Sequence, residues 1–360
     1  MPYLVLANGT VFEGQRIGAH LDRIGELVFT TGMEGYLETL TDPSYYGQIV
    51  TQAFPLIGNY GVIEEDFEGK SALFGYIVRD LCPTPSNFRS SGPLEDYLVK
   101  SGIPGLQGVD TREIVRITRE EGVMNAMICD RVPDDLSAIR DFRITDAVAA
   151  VTDPQVEFYP ALGREKYRVA LLDYGAKWNI LRSLERRGCS VTAFPASTPA
   201  ETVLAMDPDG IMLSNGPGDP KDNTFAIAQI RKIFSLSRGG RRIPVFGICL
   251  GHQLAALALG GDTVKLRYGH RGGIQPVRCL ETGRTHITSQ NHGYAVVAAS
   301  LQGVGTESFV NANDGSNEGM NYPGENCFTV QFHPEACSGP RDTSYLFDRF
   351  LLRMEGKPHA

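Results

Sequence analysis

The sequence predicts an α/β protein in parts: a β-rich α/β domain over 1–146, a linker over 147–166, and a doubly wound, mostly parallel sheet over 167–360. Three observations carry this prediction. From Arg168 onward, short apolar runs alternate with helix-forming segments, the order that builds a parallel sheet covered by helices on both faces. Before Ala147 the chain is cut by turn signals into short β-leaning runs. Between the two, Asp153-Pro154, Tyr159-Pro160 and the polar Gly163-Arg164-Glu165-Lys166 break any periodicity, as a domain boundary does.

Composition narrows the class. A chain of 360 residues is long enough for two cores, and 42% hydrophobic with 21% charged residues describes an ordinary globular protein. A net charge of -8 argues against a nucleic-acid surface, which needs clustered Lys and Arg. The opening Met1–Ala7 lacks the basic start of a leader, and no apolar run reaches spanning length. Seven cysteines without framework spacing point to a reducing, cytoplasmic setting.

In the first part, Tyr3–Ala7 and Thr10–Phe12 flank Asn8-Gly9, a two-residue hairpin signal. Glu26–Thr31 reads as a strand, and Gly35–Thr51 as two β-leaning runs separated by Asp42-Pro43-Ser44. Asp110 caps an amphipathic helix beginning at Thr111, with Glu113 in capping-box position and Gly122 as its stop. Gly69-Lys70-Ser71 imitates the end of a phosphate-binding loop. The required first glycine is Glu64, however, and the loop between is acidic, so nucleotide binding there is rejected.

In the second part the strands are Arg168–Asp173, Ser190–Phe194, Gly210–Ser214, Pro244–Ile248 and Cys327–Phe332. Helices are expected over Trp178–Arg187, Thr224–Leu236 and from Gln253 to the Gly260-Gly261 stop. Ligands of such sheets bind beyond the carboxyl ends of the strands. Two segments sit there: Asn215-Gly216-Pro217-Gly218-Asp219-Pro220, and Gly247-Ile248-Cys249-Leu250-Gly251.

The second segment has the pattern G-x-C-x-G at a strand-to-helix turn. A sharp turn of this kind needs small flanking residues. A free thiol ionises near pH 8.5, and a helix N-terminus favours its thiolate through unpaired N–H groups and partial positive charge. The same N–H groups can hold an oxyanion. A nucleophilic cysteine needs a base, and the base needs an orienting group. Of seven histidines only His333 has a carboxylate suitably spaced, in His333-Pro334-Glu335. In an extended chain, which Pro334 favours, residues two apart point to the same side. Cys249, His333 and Glu335 thus form a candidate triad. Cys249 and His252 could suggest two zinc ligands, but no second pair accompanies them, and a structural hydrogen bond is the expected role of His252.

The three motifs Asn-Gly-Pro-Gly-Asp-Pro at 215–220, Gly-Ile-Cys-Leu-Gly-His-Gln at 247–253 and Gln-Phe-His-Pro-Glu at 331–335 resemble those of the class I, triad, glutamine amidotransferase family. The resemblance runs from Tyr167 to about Phe350 and implies a flavodoxin-like fold. Further segments, including Thr41-Asp42-Pro43-Ser44-Tyr45, Gly108-Val109-Asp110-Thr111-Arg112, Asp173-Tyr174-Gly175-Ala176-Lys177 and Gly269-His270-Arg271-Gly272-Gly273, are similar to the small, glutaminase subunits of carbamoyl phosphate synthetases.

This resemblance implies glutamine hydrolysis through a Cys249 thioester, with His333 carrying the proton and Glu335 orienting it. It implies an oxyanion site from the Leu250 N–H and the Gly216–Gly218 loop, and glutamine binding by Gln253, Asn291, Gly293, Tyr294 and Ser44. Without it, Asn291-His292-Gly293-Tyr294 would read as a plain turn. Tyr294 stands where the family often has phenylalanine; a backbone contact would not depend on the hydroxyl. The implied partner is a large synthetase subunit, which receives ammonia through a tunnel and uses bicarbonate, ATP and Mg to make carbamoyl phosphate for arginine and pyrimidine synthesis. The pair could assemble further, and the β-rich domain is the expected contact surface. No cofactor or metal is expected on this chain itself. The alternatives are a glutaminase serving another synthase, a free-standing γ-glutamyl hydrolase, or a catalytically silent scaffold.

Overall fold

The strands after Tyr167 alternate strictly in the side chains they bury. Val169 and Leu171 face one way, Ala170 and Leu172 the other, and both sets are inaccessible to solvent. A strand apolar on both sides must lie between two layers. The computed structural model, which describes residues 1–238, 242–336 and 338–356, shows those layers. One face is covered by the helices Ala200–Ala205, Thr224–Arg238 and Leu250–Ala258, through Val203, Ile230, Ile233 and Leu254. The other is covered by Trp178–Glu185 and Tyr345–Met354, through Ile180, Leu184, Phe347 and Phe350. Each fully buried Leu, Ile or Phe contributes roughly 1.5–3 kcal/mol by area, so these apolar faces hold the helices in place.

Five strands of this sheet are parallel, in the order Cys189–Pro195, Tyr167–Asp173, Gly210–Leu213, Val245–Ile248, Cys327–Val330. The sheet continues antiparallel through Asn317–Tyr322, Thr306–Asn311, Thr263–Cys279 and Thr285–Val296. The expectation of a mostly parallel sheet therefore holds for the half that carries the cysteine, while a long antiparallel extension completes the other half. Asn291–Tyr294 lies within the last of these strands, not in a turn.

The chain divides into two compact units, Met1–Thr145 and Asp146–Ala360. Residues 147–166, expected as a linker, contain the helix Ala147–Val151 and the strand Glu157–Tyr159, which pairs with Cys189–Pro195 at the edge of the second unit's sheet.

The first unit is an eight-stranded mixed sheet in the order Val11–Glu13, Tyr3–Leu6, Met124–Cys129, Arg23–Thr30, Gln48–Gln52, Gly75–Ile77, Pro104–Gln107, Gln15–Gly18. The hairpin at Asn8-Gly9 forms, but its loop has three residues: Gly9 takes φ 93° and its N–H bonds the Leu6 carbonyl at 2.9 Å. Tyr36–Thr41, expected as β, is a helix whose Tyr36, Leu37 and Leu40 are buried together, a spacing that tertiary packing favours over β propensity. The helix Thr111–Glu121 starts and stops as expected. The Asp110 carboxylate accepts from Glu113 N at 3.1 Å, and Gly122 ends the helix at φ 97°. The Glu113 side chain turns outward to Arg116 instead of closing a capping box.

Candidate active site

The chain turns from sheet to helix at Cys249. Val245–Ile248 is a central buried strand, and Leu250 begins the helix. Cys249 takes φ 53° and ψ -103°, a conformation L residues rarely adopt, and its N–H is tied to the Val330 carbonyl at 2.8 Å. The flanking glycines have a steric cause. A Cβ on Gly251 would stand 2.3 Å from the Leu213 carbonyl oxygen, and one on Gly247 would stand 2.9 Å from the Gly251 oxygen. Neither backbone neighbour can yield, so no larger residue fits the turn.

The strand next to the elbow, Cys327–Val330, delivers His333. Its backbone N–H bonds the Ser289 carbonyl at 2.9 Å. The strand ends at Val330, and residues 333–336 form a turn closed by Ala336 N to the His333 carbonyl at 3.2 Å. The expected pairing is present, with His333 Nδ1 2.6 Å from Glu335 Oε1, but it is made across a turn rather than along an extended chain. Both side chains are buried, at 1% and 0% exposure.

Burial disfavours charge on both groups. The pairing outweighs it: Glu335 holds the His333 proton affinity well above the ordinary imidazole range, and His333 with Lys177 holds Glu335 below the ordinary carboxylate range. Cys249 acts on the ring as a hydrogen-bonding neighbour that also favours its protonated form. His333 Nε2 is buried and has no geometrically complete hydrogen bond among the described residues.

Lys177 was not singled out by the sequence. Its Nζ lies 3.4 Å from Glu335 Oε1 with 4% side-chain exposure, and its backbone N–H donates to Asn215 Oδ1 at 3.0 Å. The Asp173–Lys177 segment at a strand end carries a signal that could have found it, since ligands gather at such ends.

The remaining predicted residues of the second unit surround the elbow. A Cβ on Gly216 would come 2.8 Å from Leu250 Cδ2 and 2.2 Å from the Tyr174 carbonyl oxygen, so this loop passes tightly against the helix start. Gly218 takes φ 87° in the same loop. Leu250, the first helical residue, has an N–H without an intrahelical acceptor. The Cys249 thiol points to the Asn291 carbonyl oxygen, at 3.7 Å. Gln253 Nε2 donates to the Tyr294 carbonyl at 3.0 Å and to Gln331 Oε1 at 2.9 Å. Gly293 lies on the same strand between Asn291 and Tyr294. Lys265 Nζ stands 5.9 Å from the centre of the Tyr294 ring.

Ser44 belongs to the first unit. There it is buried in the 3-10 turn Pro43–Tyr45, its N–H capped by Asp42 Oδ1 at 2.9 Å. His252 is fully buried, with Nδ1 2.7 Å from the Thr329 hydroxyl, the structural role expected of it.

Comparison with known proteins gives the family. Residues 170–352 match the glutamine amidotransferase class-I family, and residues 4–128 match the carbamoyl-phosphate synthase small chain, CPSase domain. A carbamoyl phosphate synthase small chain from Clostridium perfringens is 49% identical over 352 residues, covering 97% of this chain and 98% of that protein. The chain belongs to the carbamoyl phosphate synthase small-chain family. A second relative of that description, from Syntrophotalea carbinolica, is 46% identical over 371 residues and covers 98% of this chain and 97% of its own. Among solved structures, a glutamine amidotransferase from Thermotoga maritima is 18% identical with a TM-score of 0.38, covering 52% of this chain and 84% of its own. As a member of the carbamoyl phosphate synthase small-chain family, the chain carries a class I amidotransferase domain behind the small-chain domain, with no described helix long and apolar enough to cross a membrane.

Proposed function

We propose that this chain hydrolyses glutamine through a covalent intermediate on Cys249 and supplies the ammonia to a large synthetase subunit. The observation that carries the reading is a strained elbow cysteine beside a buried His333–Glu335 couple in the turn that follows the adjacent strand. His333 takes the thiol proton as Cys249 Sγ attacks the side-chain amide carbon of glutamine. The negative oxygen that forms is held by the Leu250 N–H and an N–H of the Gly216–Gly218 loop. The C–N bond breaks, and His333 gives its proton to the departing ammonia. Water then cleaves the thioester, releasing glutamate and restoring the thiol.

Glu335 keeps the ring oriented and favours its protonated form, which suits proton delivery to ammonia. Gln253 holds the carbonyl of Tyr294, and with Asn291 and Gly293 these residues would grip the amino-acid end of glutamine. ATP and Mg would act on the partner, where bicarbonate and ammonia become carbamoyl phosphate for arginine and pyrimidine synthesis. The free thiols among the described residues suit a cytoplasmic setting.

The test is Cys249→Ser assembled with its large subunit. Glutamine-dependent synthesis of carbamoyl phosphate should vanish while synthesis from ammonium salts persists. Loss of both, or of neither, removes Cys249 from the role given to it.

A further inference from the structure

A second group of buried ionisable side chains lies in the antiparallel half of the sheet. The strands Thr263–Cys279 and Thr285–Val296 pair with His270 directly opposite His292. His270 Nδ1 lies 3.2 Å from His292 Nε2. Glu318, on the strand Asn317–Tyr322, brings Oε1 to 3.4 Å from His270 Nδ1 and 3.9 Å from His292 Nε2. Gln290 Oε1 lies 3.1 Å from the same His292 nitrogen. The side chains of His292 and Glu318 are 1% and 0% exposed.

The outer contacts determine which atoms carry protons. His292 Nδ1 faces the Tyr294 carbonyl at 2.8 Å and Nε2 faces Gln290 Oε1 at 3.1 Å; neither oxygen offers a proton, and a neutral ring can serve only one, so with the proton at the shorter contact Nε2 presents a lone pair. His270 Nε2 likewise donates to Asp314 Oδ2 at 2.8 Å. Glu318 Oε1 accepts from Asn311 Nδ2 at 3.0 Å, while its Oε2 is buried without a hydrogen-bond partner among the described residues. Two imidazole nitrogens and a carboxylate oxygen thus lie within 3.9 Å of one another, with the Gln290 amide oxygen beside the His292 nitrogen. A single proton on His270 Nδ1 relieves only part of that crowding, because it leaves Gln290 Oε1 facing the His292 lone pair.

We propose that His270, His292 and Glu318 bind a divalent transition-metal cation of the zinc class, with a fourth position open to water. Ligands at zinc's usual bond lengths stand roughly 3.3–3.6 Å apart in a tetrahedron. The three separations here, 3.2, 3.4 and 3.9 Å, bracket that range. Imidazole donors favour zinc, cobalt or nickel over magnesium or calcium. The outer hydrogen bonds to Asp314 and the Tyr294 carbonyl are of the kind that fix metal-bound histidines in one tautomer. Entry is available from the Asp314 side, where that carboxylate is 47% exposed. These ligands come from three separate strands, and so escape a search for closely spaced pairs such as Cys249 and His252.

The experiment strips the full-length chain with a chelator, then titrates it with zinc by calorimetry and with cobalt(II) by visible absorption. The expected result is one equivalent bound, with cobalt ligand-field bands. Glu318→Gln and His270→Gln should each abolish the bands. Asp314→Asn, at the surface, should weaken binding about 10- to 100-fold, and Cys249→Ser should leave it intact. Thermal melting of each variant identifies any that fails to fold, and Asp314→Asn keeps the test decisive in that event. Absence of stoichiometric binding in the wild type overturns the proposal, as does wild-type affinity in Asp314→Asn. Binding lost in Cys249→Ser but kept in Glu318→Gln also overturns it, by locating the metal at the thiol.

Discussion

Two histidines of the second unit are equally deep and differently prepared. His252 is 0% exposed, and His333 1%. The strand Cys327–Val330 serves both: its Thr329 hydroxyl meets His252 Nδ1 at 2.7 Å, and its continuation carries His333 to Glu335 at 2.6 Å. Burial pushes His252 down to about 3, so it is neutral at any ordinary pH. Its place in the first turn of the helix Leu250–Ala258 adds to this, because a helix N-terminus repels a cation. For His333 the carboxylate reverses the effect of burial. Opposite charges about 4 Å apart attract by roughly 4 kcal/mol at an effective dielectric of 20. A hydroxyl offers no such return. Depth alone therefore does not prepare an imidazole for proton transfer; the charge of its partner does.

The sharpest break of this comparison is removal of the base itself. His333→Asn should lower glutaminase turnover by about 10²- to 10⁴-fold, the usual worth of a positioned acid–base group. His252→Gln, which keeps an amide to bond Thr329, should cost far less. Steady-state glutamate release from both variants decides the matter, and equal losses would show that the two rings are not distinguished by their partners.

Glu335→Gln sharpens the comparison by giving His333 a neutral partner like that of His252. The amide oxygen can still accept from Nδ1, so orientation survives while the charge is lost. A hydrogen bond to a charged group is worth about 1.5–3 kcal/mol and one between neutral groups about 0.5–1.5, so the exchange forfeits about 1–1.5 kcal/mol, or roughly tenfold in rate. The carboxylate raises the ring's proton affinity, so its removal must lower it. The upper limb of the kcat/KM pH profile should therefore move to lower pH. An unmoved limb would mean that Glu335 does not set the protonation of His333.

Local features of this site were legible in the sequence, and distant ones were not. The elbow could be read because its causes are neighbours: Gly247 and Gly251 are required by contacts within one turn and the adjoining strand. Spacing alone points to His333 and Glu335, yet it does not distinguish the turn that joins them from extended chain, since the fixed φ of Pro334 suits either. Lys177 escaped because its partner Glu335 becomes a neighbour only once the parallel sheet is built. The antiparallel extension was hidden in strands rich in glycine and polar residues, such as Gly269–Gly273, which lack the period-2 apolar signal. Tyr36–Thr41 reads as β because Tyr and Thr lean toward β in isolation, whereas the buried Tyr36, Leu37 and Leu40 share one helix face.

The smallest expected effect is on stability, and it has opposite signs for the two rings. His252 has a folded value of about 3, below the ordinary imidazole value of 6.5 that the unfolded chain should approach. Between those values the unfolded state binds a proton that the folded state refuses, so acidification favours unfolding. One such group contributes at most about 1.4 kcal/mol per pH unit. His333 lies above 6.5 when folded, so its contribution is complete below that value and is lost as pH rises through the folded value. Melting temperatures of the wild type and His252→Gln should then diverge on the acid side, with the variant falling less steeply between about pH 6 and 4. His333→Asn should instead flatten the decline above about pH 7. Parallel curves on the acid side for His252→Gln would mean that its ring accepts a proton without unfolding, and that burial does not hold it neutral.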